Sequence, residues 1–137
     1  MMHLAITYVT TLFVLVLVDA IWLILVMRGL FVTHLGPLLA EPVRYVPAVV
    51  FYLIFTAGLL VLAIEPAVRA GSLRRAIMLG MVLGLTAYAT YELTNRATLQ
   101  AWPMVIVIVD IAWGIVVSAI AAATGYSILR MMRGEAI

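Results

Sequence analysis

Three carboxylates interrupt long apolar stretches of this chain: Asp19 within Leu4–Met27, Glu92 within Ala76–Asn95 and Asp110 within Pro103–Leu129. An ionisable group at the centre of a membrane span costs about 2.5–3.5 kcal/mol or more, so each one calls for a partner and a reason. Acids in such places take up protons, hold cations, accept hydrogen bonds from a ligand, or act as general acid and base. Aromatic residues stand at helical spacing from them. Trp22 follows Asp19 by three residues and Trp113 follows Asp110 by three, so each tryptophan shares a helix face with its acid. The strings Val18-Asp19-Ala20-Ile21-Trp22 and Val109-Asp110-Ile111-Ala112-Trp113 repeat one pattern, which suggests similar work for two helices. Gly80, Gly84, Tyr88, Tyr91, Glu92 and Asn95 make a third stripe, small residues first and polar ones after. From Asp110 a fourth continues through Gly114, Ser118, Ala122 and Gly125.

The chemistry these residues support is narrowed by what is missing. There is no cysteine and, among eight basic residues, no lysine. Thiolate metal sites, cysteine nucleophiles and Schiff bases are thereby excluded. The two histidines, His3 and His34, are expected on opposite membrane sides and cannot ligate one haem. No His cluster or Glu-x-x-His string offers a di-iron site. Ser118 and Ser127 have no histidine to activate them, and Ser72 is read as a loop residue. No cofactor or metal is implied. The net charge of +2 is spread over scattered arginines, which gives no nucleic-acid footprint.

The elements that must position the acids are membrane helices. The chain is 67% hydrophobic and 10% charged, whereas soluble domains are about 45–50% apolar and about 25% charged. Crossing about 30 Å of hydrocarbon takes about 20 helical residues. Four stretches qualify: Leu4–Met27, Val46–Ile64, Ala76–Asn95 and Pro103–Leu129. The expected fold is an all-α, four-helix transmembrane bundle, one domain over residues 1–137 with short loops. Leu4–Met27 has no lysine or arginine before it, is too long for a signal-peptide core and contains Asp19, so it is expected to be a retained span. Pro37, Pro42 and Pro66 are placed in loops, and Pro47 and Pro103 in first turns. The first loop, Arg28 to Tyr45, mixes Leu30, Phe31, Val32, Leu35, Leu38 and Leu39 with Gly and Pro. It is expected to lie along the membrane interface as a partial lid.

Arg69, Arg74, Arg75, Arg130 and Arg133 fall on one side, against Arg28, Arg44 and Arg96 on the other, which predicts both termini in the cytoplasm. Counting from the helix ends, Asp19, Tyr52, Glu92 and Asp110 all lie roughly 5–12 Å inside the extracytoplasmic boundary. The spacing therefore predicts a pocket among the four helices in that half. Asp19, Glu92 and Asp110 would be its acids, and Trp22, Tyr52, Tyr88, Tyr91, Asn95 and Trp113 would shape it. Two neighbouring carboxylates there could share a proton. A purely structural reading stands beside this one, in which protonated acids bond to indole, phenol or main chain and hold the bundle together. Neutral Asn or Ser would serve that end at lower cost. Trp102, at a helix start, is read as an ordinary interfacial-belt residue.

Several strings carry a family resemblance: Asp19-Ala20-Ile21-Trp22-Leu23, Phe51-Tyr52-Leu53, Tyr88-Ala89-Thr90-Tyr91-Glu92-Leu93-Thr94-Asn95, Trp102-Pro103 and Asp110-Ile111-Ala112-Trp113-Gly114. Together they resemble the bacterial membrane-protein family catalogued as domain of unknown function 2177. Where that family often has aspartate after the second tyrosine, this chain has Glu92, which keeps the charge on a longer arm. The resemblance implies a four-helix fold in a bacterial cytoplasmic (inner) membrane and supplies no activity.

Three functions remain open. One is a protein that binds or transports a small or lipid-like ligand, with the acids as proton acceptors; four helices are few for a transporter, so this reading predicts a homodimer or a membrane-protein partner. Another is an accessory subunit of a larger membrane complex. The third is a lipid-modifying enzyme using paired carboxylates. The first is the reading adopted, which makes a non-enzymatic role the expectation. The Gly80/Gly84 pair serves packing within the bundle or, alternatively, a dimer.

Overall fold

The computed structural model describes residues 1–36, 42 and 44–134. Among them four helices are long and apolar enough to cross a membrane: α1 (Met2–Leu35), α2 (Tyr45–Arg69), α3 (Leu73–Thr98) and α4 (Met104–Met132). The fold is an all-α bundle. Its outer faces carry exposed Val9, Phe13, Ile54, Val82 and Ile108, as lipid contact requires.

The α3–α4 pair is the best packed. Ala76, Gly80 and Gly84 of α3 are buried against Gly114, Ser118 and Ala122 of α4, and small residues on both sides let the two main chains approach closely. The glycine stripe therefore packs inside one bundle. On α1 the buried residues recur every fourth position, Thr7, Thr11, Leu15 and Asp19, then Met27 and Leu35. A four-residue step advances about 40° round a regular α-helix, so such a face would walk away from its neighbours. A π-helical turn at Leu23–Met27 takes up part of that drift and returns Met27 and Leu35 to the bundle.

Two expectations change here. The first loop was placed from Arg28 onward, yet α1 continues as helix to Leu35. Leu35 and Met27 are buried with Trp102 and Ile106, with Leu30 and Phe31 packed alongside, so this tertiary contact overrides the loop-like composition. Leu38 and Leu39 of the expected lid, with Pro37, lie outside the described residues. Pro66 was placed in a loop, but α2 runs past it to Arg69. The proline ring would strike the carbonyl four residues back in a regular helix. The π-helical turn at Leu60–Ile64 widens the helix there and accommodates it.

α2 and α3 are joined by a tight turn. Gly71 takes a left-handed φ of 60°, Ser72 N–H donates to the Ala67 carbonyl at 3.1 Å, and Ser72 Oγ caps α3 by accepting from Arg75 N–H. This hinge holds the two helices together at the arginine-rich end. At the other end they diverge. Residues 45–51 are exposed on every side, and α2 gains a buried face only from Phe55 onward, through Thr56, Leu59, Ala63 and Ile64.

Candidate functional site

The divergence of α2 from α3 opens a cleft of about 610 Å³ between all four helices. Pro47, Ala48 and Phe51 of α2 form one wall, and Ala87, Tyr88, Thr90 and Tyr91 of α3 the facing one. Asp19 and Asp110 line it from α1 and α4, and Leu23 and Phe31 of the α1 extension complete it. Its volume falls in the roughly 300–1,000 Å³ range of small-molecule sites.

Asp19 of α1 is held from two other helices, α2 and α4. Tyr52 Oη donates to its Oδ2 at 2.5 Å and Trp113 Nε1 donates to its Oδ1 at 2.6 Å, so both oxygens accept. The residue is 6% exposed. Two donors on two oxygens suit an ionised carboxylate, which only accepts. Trp22 stacks flat on Trp113, with centroids 4.3 Å apart and planes 6° from parallel. The repeated Asp-x-x-Trp strings thus meet ring to ring, but their acids are used differently. Trp22 Nε1 is buried without a hydrogen-bond partner among the described residues. Asp110 sits within hydrogen-bonding reach of Glu92, with Asp19 close enough to add its field. Two carboxyls can share a hydrogen bond only with a proton between them.

Glu92 does not line the cleft. It is 1% exposed and accepts from Trp102 Nε1 at 2.7 Å, while Tyr91 meets the Trp102 ring edge-on at 5.9 Å. Asn95 lies within hydrogen-bonding reach of Tyr91, outside the cleft lining. Arg96, one turn beyond Glu92, gives its guanidinium to the Trp102 main-chain carbonyl at 2.5 Å. Trp102 was expected in an interfacial belt. It is instead 7% exposed, because the α1 extension covers it with Met27 and Leu35. Trp102→Phe removes the only indole donor on Glu92 and is expected to lower stability by about 2 kcal/mol. An unchanged midpoint in a detergent unfolding titration would show that this bond does not hold Glu92.

Of the residues singled out in the sequence, the structure brings Asp19, Asp110, Tyr88 and Tyr91 to the cleft surface. Tyr52, Trp113 and Trp22 stand behind Asp19, while Glu92 stands behind Asp110. Phe31, Phe51 and Trp102 are not among the site residues read from the sequence, although Phe51 and Trp102 both stand in family-like strings and Phe31 in the expected lid. Among the described residues no three acids or histidines converge to hold a metal ion.

Residues 4–127 match the family described as predicted membrane protein DUF2177. The chain belongs to that family. No curated protein and no solved structure matches it. The match spans α1 to α3 and most of α4, so every residue of the cleft lies inside the family region.

Proposed function

We propose that this DUF2177 protein binds a small amphipathic or lipid-like molecule in the cleft between α2 and α3. One observation carries the reading: the first two turns of α2 stand clear of the bundle and leave a cavity lined by aromatic side chains and by two carboxylates, Asp19 and Asp110. A lipid-borne ligand could slide in sideways and place its tail along Phe51 and Tyr88 and its polar end at Asp19 and Asp110. The arginine-rich end is taken as cytoplasmic by the positive-inside rule, which puts the cleft in the outer half of a bacterial cytoplasmic membrane. Binding is favoured over conduction because the other half is packed shut by Leu15, Leu59, Val117 and Tyr126, each 1% exposed or less. A moving ligand would need that core to part.

The test is native mass spectrometry of gently solubilised protein. A defined extra mass is expected on the wild type and is expected to vanish in Ala48→Trp, which fills the cleft from an exposed position on α2 without entering the core. A wild-type protein that is bare, or a mass retained at full occupancy in Ala48→Trp, would sink the reading.

A further inference from the structure

The charge of the cleft specifies the ligand further. Among the described residues Asp19 and Asp110 are the only ionisable carboxylates on its surface, and no arginine or histidine lines it. Asp19 has both oxygens satisfied by neutral donors, Tyr52 and Trp113. Asp110 and Glu92 can share one proton between two carboxyls, which still leaves that pair with a negative charge. The nearest basic group along α3, Arg96, is turned to a main-chain carbonyl at Trp102. Negative charge in a low-dielectric setting without a counter-cation is a standing cost. An occupant that brings positive charge lowers that cost more than a neutral one.

The rest of the lining agrees. Phe31, Phe51, Tyr88 and Tyr91 supply aromatic surface around the two acids, and ring faces attract cations. Among the described residues the lining offers an anion no cationic side chain and a sugar no side-chain amide. Thr90 has no proton left to give a headgroup, because its hydroxyl donates to the Thr86 carbonyl at 2.6 Å, and it can only accept.

We infer that the cleft recognises an organic cation, an amine or quaternary ammonium headgroup carried on an apolar tail. The inference rests on the ligand-binding reading above and names the chemistry of its ligand. Asp110 and Asp19 face the headgroup from the back, the aromatic rings surround it, and the tail leaves between α2 and α3 toward the lipid.

The experiment compares four probes by titration calorimetry on the full chain in dodecyl maltoside, with protein-free micelles as blanks. Decyltrimethylammonium, decanol and decyl sulfate share one tail with positive, neutral and negative ends; tetramethylammonium is the headgroup alone. Decyltrimethylammonium is expected to bind about tenfold more tightly than decanol, and decyl sulfate most weakly. The Asp19→Asn/Asp110→Asn double variant is expected to lose that margin while still binding decanol, which also shows that it is folded. Equal binding of decanol, or tightest binding of decyl sulfate, by the wild type would overturn the cation inference and leave the ligand-binding reading standing. Binding of none of the probes would overturn both. Tetramethylammonium binding as tightly as its decyl analogue would overturn the apolar tail.

Discussion

Gly84→Ala is expected to destabilise the bundle by about 3 kcal/mol, whereas Gly58→Ala is expected to be neutral or to stabilise it by up to about 1 kcal/mol. The chemical change is the same in both, and the surroundings decide its sign. A Cβ at Gly84 would fall within contact distance of the Gly114 carbonyl oxygen and the Ser118 side chain. The first of these is main chain of the facing helix and cannot swing aside, so α3 and α4 must separate along the interface that Ala76, Gly80 and Gly84 share with Ser118 and Ala122. A Cβ at Gly58 meets only Leu83 Cδ2 at 3.7 Å, an ordinary contact, and alanine restricts the unfolded chain more than glycine does. Loss of helicity against SDS mole fraction in mixed micelles reads both variants. Equal midpoints for Gly84→Ala and wild type would mean that the close approach of α3 and α4 is not what holds the bundle.

That interface was legible in the sequence as a stripe of small residues, and so was the shared depth of the acids. Both are one-dimensional properties: spacing along a helix, and rise per residue from its end. What decides contact between helices is rotation and tilt, which the sequence does not print locally. Asp19 and Asp110 sit in nearly the same string, yet one accepts from Tyr52 and Trp113 and the other meets Glu92. The end of α1 was misplaced for a related reason. Arg28, Gly29 and Gly36 look like loop residues, and only the distant partners Trp102 and Ile106 reveal that the helix continues to Leu35. The acids announced a pocket, but its wall on α2 left no trace. Val46, Ala48, Val49, Val50 and Phe51 are uniformly apolar, and in a bilayer a pocket wall and a lipid-facing surface have the same composition. Hydropathy therefore marks the span and is blind to the gap beside it.

Asp19 offers the sharpest separation of fold from function. Asp19→Ala strands the Trp113 N–H and the Tyr52 O–H in an interior surrounded by lipid, and each unsatisfied donor costs about 1–3 kcal/mol. That variant is expected to lose about 2–5 kcal/mol and with it the fixed arrangement around the Trp22–Trp113 stack. Asp19→Asn behaves differently because of what each partner can do. Tryptophan only donates, so the asparagine carbonyl oxygen must turn to Trp113 Nε1. The amide NH₂ then faces Tyr52, whose hydroxyl accepts as readily as it donates. Both contacts survive with one reversed, so the fold is expected to hold within about 1 kcal/mol. What disappears is the negative charge alone. Near-UV circular dichroism of the tryptophan pair, followed through an SDS titration, is expected to separate the variants, with the asparagine protein matching wild type and the alanine protein unfolding early. If the asparagine protein fails equally, the charge of Asp19 is part of the architecture. If it folds and binds decyltrimethylammonium more weakly, the charge is there for the ligand.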